Sequence, residues 1–161
     1  MATVVRVADC DPGHPETAAL IARSDAYMSA LYPAESNHFD GLDTLRLPNV
    51  RFVAAWLGER IVGCGAVKRL DGPPAYGEIK RVFVAEDCRG QGVSKQIMAV
   101  LEQTLVEAGV HLARLETGIH QPEAIGLYRA LGYAEREPFG AYQPDRLSLF
   151  MEKRLVARAS S

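Results

Sequence analysis

Two glycines, Gly90 and Gly92, stand in the run Arg89-Gly90-Gln91-Gly92-Val93-Ser94, between a β-prone stretch and a long amphipathic one. Glycines so placed let the chain turn with its N–H groups exposed. The helix that follows adds unpaired donors and a partial positive charge, so a phosphate can dock there without side-chain ligands. Arg89 and Lys95 add positive charge beside the turn. The run lacks the Gly-Lys-Ser/Thr ending of a Walker loop and the third glycine of a dinucleotide fingerprint. On the glycines alone, a phosphate cradle and a helix-start turn that binds nothing both remain open. Cys88 next to Arg89 is either a somewhat acidic thiol or a small filler before the turn. The four histidines, His14, His38, His111 and His120, show no metal spacing with other ligands, and no metal site is expected.

The elements that must position this loop are legible on both sides of it. Gly77 to Val84 reads as a strand leading into the loop, and alternation puts Glu78, Lys80 and Val82 on one face of it. From Val93 to Ala108 the apolar residues Val93, Ile97, Val100, Leu101, Leu105 and Ala108 recur at three- and four-residue steps, and Gly109 supplies a helix stop. Earlier, Thr3 to Val7 is β-prone. Glu16 to Leu31 carries Ala19, Leu20, Tyr27 and Leu31 as one buried helix face, ended by Tyr32-Pro33. A short second helix is expected somewhere in residues 34–48. Arg51 to Leu57 and Arg60 to Lys68 form a hairpin about Gly58-Glu59. Later, Val110 to Thr117 reads as a buried strand, Pro122 opens a helix reaching Leu131, and Tyr133 to Glu135 and Leu147 to Lys153 read as closing strands. The expected fold is a layered mixed α/β (α+β) domain over residues 1–156, with 157–161 as a short tail.

Composition narrows the function classes. The 161 residues carry 18 Lys and Arg against 20 Asp and Glu, a formal charge of −2, without the basic excess that phosphate-backbone binding draws on. Nucleic acid is not an expected partner. No run approaches the length of a membrane helix, and the start lacks a signal-peptide pattern. Three cysteines, Cys10, Cys64 and Cys88, argue against a disulfide framework. The chain reads as cytoplasmic. Residues 1–50 hold three Arg and no Lys against seven Asp and Glu, so the front is acidic and the remainder mildly basic. That bias suits a cationic ligand near the front and a polyphosphate elsewhere, or simply a solvated surface.

Arg89-Gly90-Gln91-Gly92-Val93-Ser94 resembles the Arg/Gln-x-x-Gly-x-Gly/Ala motif of the GCN5-related N-acetyltransferase (GNAT) superfamily, with Val82-Phe83-Val84 matching the bulged central strand before it. The resemblance continues in Gln121-Pro122-Glu123-Ala124-Ile125-Gly126-Leu127-Tyr128 followed by Gly132-Tyr133, which is similar to the family's Asn-x-x-Ala-x-x-x-Tyr segment. The runs Gly77-Glu78-Ile79-Lys80-Arg81, Leu115-Glu116-Thr117-Gly118 and 138–145 resemble a bacterial subgroup of small-molecule acetyltransferases. Ser94 replaces the usual Gly or Ala, and Gln121 the common Asn; one stays small and the other keeps an amide.

The resemblance implies a largely antiparallel central sheet of six to seven strands flanked by about four helices. It also implies acetyl-coenzyme A (acetyl-CoA) as acyl donor. The pantetheine arm would add to the edge of Val82, Phe83 and Val84, and the pyrophosphate would rest on Gly90, Gln91, Gly92, Val93 and Ser94, with Arg89 and Gln121 completing the cofactor set. The implied reaction is attack of an amine on the thioester. Glu78 is the candidate base, its alternative a structural pairing with Lys80 or Arg81. Tyr128 takes the place of the family's tyrosine that protonates the departing thiolate; on spacing alone it would be a core aromatic. Glu35, His38, Glu116 and Tyr142 are expected around the acceptor, a small-molecule amine, although a His in a polar loop is also simply a surface residue. A non-catalytic acyl-CoA-binding module of the same fold is the alternative. The oligomeric state stays open, a homodimer included.

Overall fold

The computed structural model describes residues 4–36 and 41–156. Its strands are β1 (Val5–Asp9), β2 (Val50–Leu57), β3 (Arg60–Leu70), β4 (Tyr76–Val84), β5 (Leu112–Gly118), β6 (Ala134–Arg136) and β7 (Ser148–Arg154). Its helices are α1 (Pro15–Leu31), α2 (Leu42–Leu45), α3 (Val93–Glu107) and α4 (Pro122–Ala130), with single 3-10 turns at Ala34–Ser36 and Glu86–Cys88. The seven strands form one sheet in the order β1-β2-β3-β4-β5-β7-β6. Every neighbouring pair is antiparallel except β4 with β5. The expected fold class is the one found. Among the described residues no helix is long and apolar enough to cross a membrane.

The hairpin forms where expected, Leu57 facing Arg60 across Gly58-Glu59, with Gly58 at φ 61 supplying the left-handed first turn residue. On one face of the sheet lies α3, whose Ile97, Met98, Leu101 and Leu105 are fully buried against Val53, Val62, Val67, Leu115 and Met151. Met98 belongs to this stripe, whereas Ala108 caps the helix and is exposed. On the other face α1 and α2 bring Leu20 and Leu45 onto Phe52, Ala54, Ile61, Cys64 and Ala66. A third cluster of Tyr76, Phe139 and Phe150 closes the β7 side.

Helix α1 departs from expectation. Only Thr17 and Leu20 are buried in it, while Ala19 and Tyr27 are exposed. The C-terminal half of α1 flanks an open cleft rather than a packed core, so Ser24, Tyr27 and Met28 form a wall instead of an apolar contact face. The short second helix appears as α2 together with the 3-10 turn before it.

The pairing that matters for function is the parallel one. Strands β4 and β5 are nine and seven residues long, yet only Gly77, Glu78 and Ile79 pair, with Ala113, Arg114 and Leu115. Beyond Ile79 the two strands diverge and the sheet opens into a wedge.

Candidate active site

A cleft of about 760 Å³ fills that wedge. Its floor is β4 from Glu78 to Val84. One end is the glycine loop and first turn of α3, and its walls come from the end of β5, the start of α4 and the last turns of α1. Between Cys64 and Ala66 of β3 there is one residue, but between the facing Phe83 and Lys80 of β4 there are two, so β4 carries a β-bulge at Arg81-Val82. Arg81 takes the left-handed conformation there, φ 58, which costs a non-glycine residue roughly 1–2 kcal/mol. Its guanidinium is buried and ion-paired with Asp25 of α1, a contact that secures the conformation.

The bulge corrects one expectation. Lys80 shares a face with Glu78 as alternation requires, but the extra residue turns Val82 to the opposite side, where it packs with Val84 on the α3 core. Phe83 faces the α1 side. The bulge also carries β4 away from β5, so that β5 no longer accompanies residues 80–84, and an extended ligand can run alongside them.

Gly90 and Gly92 both have left-handed backbone, φ 80 and 79, and a Cβ on either would meet nothing within 4 Å. They are required by conformation, not by crowding. Gly92 is the N-cap of α3 and gives it no side-chain cap, so the first-turn N–H groups of that helix are left for an external acceptor. Gly90, Gly92, Val93, Ser94 and Lys95 line the cleft; Gln91 is exposed and is not part of its wall. Arg89 lines it too, but its Nε donates to the Val84 carbonyl at 3.2 Å and its guanidinium lies 5.5 Å from the Phe83 ring centroid, which braces the turn against the end of β4.

Glu78 is only 6% exposed and forms part of the cleft wall. Lys80 Nζ donates to its Oε2 at 3.3 Å, and the Tyr142 hydroxyl donates to the same oxygen at 2.5 Å. The expected structural pairing with Lys80 therefore exists, whereas Arg81 is engaged with Asp25. Across the cleft Tyr128 projects from α4, buried and edge-on to Tyr133, with ring centroids 6.0 Å apart. Burial pushes its phenol up to about 12. Among the described residues none hydrogen-bonds the Tyr128 hydroxyl, so a neutral phenol sits at the cleft with its proton uncommitted.

Gln121 lines the cleft as well, but its Oε1 is used within the fold: it accepts from the Gly118 N–H at 3.2 Å and from the Tyr32 hydroxyl at 3.4 Å. Tyr32 in turn accepts from the His120 N–H at 3.0 Å and stacks on the His120 ring. This knot ties the end of α1 to the turn that starts α4. No local pattern in the sequence marks Tyr32 for this role, because its partners are 88 and 89 residues away in the chain.

The acceptor candidates divide. Glu116 and Tyr142 both line the cleft, and Glu116 Oε2 accepts from the Ser148 hydroxyl at 2.9 Å. Glu35 is exposed on its 3-10 turn and is not part of the wall, which its neighbour Ser36 joins instead. His38 lies outside the described residues. Lys80 and Arg81, absent from the expected set, also line the cleft.

A splayed parallel pair, a bulged strand and a glycine N-cap at one end of the cleft make a recognisable combination, and comparison with known proteins agrees with it. The family model described as "Acetyltransferase (GNAT) family" matches residues 18–133. The IAA acetyltransferase of Azospirillum brasilense is 44% identical over 151 residues, covering 94% of this chain and 98% of that protein. The crystal structure of a protein from Klebsiella pneumoniae subsp. pneumoniae, named as an acyl-CoA N-acyltransferase, superposes with a TM-score of 0.81 at 37% identity, covering 96% of this chain and 99% of that one. At 14% identity, where only the fold is shared, the PaiA N-acetyltransferase of Thermoplasma acidophilum, solved in complex with coenzyme A, superposes with a TM-score of 0.71 over 94% of this chain and 99% of that one. The chain belongs to the GNAT family and is an N-acetyltransferase, hence an acyltransferase.

Proposed function

We propose that the protein transfers an acetyl group from acetyl-CoA to the amine of a small molecule by direct attack on the thioester. The observation that carries this reading is the placement of a buried carboxylate, Glu78, and a buried neutral phenol, Tyr128, in the walls of one cleft that ends in a glycine-capped helix start. The pantetheine arm adds as a short strand beside Val82, Phe83 and Val84, in the space that β5 leaves. The pyrophosphate sits on the N–H groups at Gly90, Gly92, Val93 and Ser94, with Lys95 at hand. Arg89 and Gln121 support that arm by bracing the turn and the α4 start. The PaiA structure, which holds coenzyme A on the same fold, supports the choice of donor.

An alkyl amine is protonated at neutral pH and must lose a proton to become a nucleophile. Glu78 takes it, directly or through one water. The amine nitrogen then bonds to the thioester carbonyl carbon, the C–S bond breaks, the thiolate receives the Tyr128 proton, and the second proton shed by the acylated nitrogen returns through water to re-protonate Tyr128. Glu116, Tyr142, Lys80 and Arg81 surround the acceptor.

A thiol-release screen over amines, amino acids, polyamines, aminoglycosides and peptide N-termini tests the proposal. We expect one class to give acetyl-CoA-dependent turnover, and Glu78→Gln to lower it by about 100-fold or more while leaving acetyl-CoA affinity within about twofold. Full retention of activity in Glu78→Gln would remove Glu78 as the base. Tight acetyl-CoA binding with no thiol release from any amine would instead favour the acyl-CoA-binding module.

A further inference from the structure

The two oxygens of Glu78 are treated differently. Both donors that reach this carboxylate, Lys80 Nζ and the Tyr142 hydroxyl, converge on Oε2. No described residue hydrogen-bonds Oε1, although Glu78 is more than nine-tenths buried and stands in the cleft wall. Lys80 Nζ also donates to the Tyr142 hydroxyl at 3.4 Å, closing a triangle of three polar groups. Burying a carboxylate oxygen without a partner is costly, so an uncommitted Oε1 beside a doubly held Oε2 marks a group kept for an external proton donor.

We propose that Tyr142 is a positioning residue for the transfer reaction: together with Lys80 it clamps Glu78 by Oε2 and so presents Oε1 to the acceptor's ammonium group. This rests on Glu78 acting as the base. Tyr142 is itself held rigidly. It lies in the connection between β6 and β7, with its ring edge-on to Phe139 and Phe150 at centroid distances of 5.2 and 5.4 Å. Phe139 packs in turn on Tyr76, two residues before Glu78 on the same strand. The aromatic cluster thus fixes the hydroxyl relative to β4, and the hydroxyl fixes the carboxylate. In the transfer step Tyr142 therefore acts through Glu78, while its ring lines the same cleft. The acceptor it prepares for is a primary or secondary amine entering protonated, whose N–H donates to Oε1 before the proton is transferred there.

The test is a double-mutant cycle. Tyr142→Phe removes the hydroxyl and keeps the ring packing; Glu78→Met keeps the length of the side chain and removes the strong acceptor. In urea unfolding, Tyr142→Phe should lower the folded-to-unfolded ratio by about tenfold with Glu78 present and by less than about twofold beside Glu78→Met. In turnover with the amine that the screen returns, Tyr142→Phe should lower kcat/KM for the amine by about tenfold, leave the KM for acetyl-CoA unchanged, and add nothing further in the Glu78→Met background. Equal losses in both backgrounds, or a rise in acetyl-CoA KM that matches the loss for the amine, would overturn the clamp. If the wild-type protein releases no thiol with any of the amines, the transfer reading fails, and the unfolding cycle alone still decides whether Tyr142 holds Glu78.

Discussion

Tyr128 is a core aromatic and a cleft residue at once. Its ring packs on Tyr133 inside the α3 core, and the residue also lines the cleft. Burial moves its ionisation from the ordinary 10.0 to about 12, so the phenol keeps its proton throughout neutral pH. If it serves as proton donor, Tyr128→Phe should lower kcat by a factor that stays constant from pH 6 to pH 9, because the group does not titrate there. The factor should be about tenfold, below the 10²–10⁴ typical of general acids, because a thiol is already a fair leaving group. Parallel pH–rate profiles of the two proteins check this, and a ratio that changes with pH would contradict it. The motif positions point to Tyr128 and Glu78, and both line one cleft. The Glu78–Lys80 pairing is legible as two neighbours on one strand face, but the arrival of Tyr142 on the same Oε2 is a matter of side-chain geometry that the run Gly77-Glu78-Ile79-Lys80-Arg81 does not express.

The glycine turn and the tie from α1 to α4 set the geometry at the level of elements. Gly92 has φ 79 and open space around it, so a side chain there strains the backbone and protrudes where the pyrophosphate would lie. Gly92→Val should weaken acetyl-CoA binding by at least about tenfold, since the strain alone is worth roughly 1–2 kcal/mol, whereas Ser94→Ala should change it by less than about threefold, since backbone donors do most of the holding. Calorimetric titration with acetyl-CoA checks both. Gly118 is the opposite case, because a Cβ there would overlap the Tyr32 phenol. Gly118→Ala should therefore lower the melting temperature and loosen the start of α4, a loss that thermal unfolding would reveal. Strand and helix positions were largely legible because periodicity reports burial, as in β2, β3 and α3. Two features were not. The bulge at Arg81-Val82 leaves the composition of β4 unchanged yet reverses the side to which Val82 points. The exposure of Tyr27 in α1 follows from the cleft beside the C-terminal half of that helix, which opens where β4 and β5 diverge.

For the whole molecule, the acidic front takes on a structural meaning. Asp9 pairs with Arg51, Asp11 with Arg46 and Asp25 with Arg81, and Glu16 accepts from the Ile61 N–H. Those carboxylates fasten the first fifty residues to the sheet and to one another. The cleft draws its own carboxylates, Glu78, Glu116 and Glu123, from later in the chain. Stability at high pH should follow the buried acids. Desolvation raises the Cys64 thiol from 9.0 to about 12 and the Tyr128 phenol to about 12, and burial also raises Tyr32, Tyr76 and Tyr133. Each raised group contributes fully below its unfolded value and loses that contribution as pH climbs through the folded one, because the unfolded chain releases its proton first. The melting temperature should thus be level from pH 7 to about 9 and fall between pH 9 and 12, with a shallower fall in Tyr128→Phe. The central claim, that this cleft carries an acetyl group from acetyl-CoA to an amine with Glu78 as base, is tested most directly by amine-dependent thiol release from acetyl-CoA in wild-type and Glu78→Gln proteins side by side. We expect turnover in the wild type and a loss of about 100-fold or more in the variant at unchanged acetyl-CoA affinity; equal turnover in the two proteins would rule out Glu78 as the base.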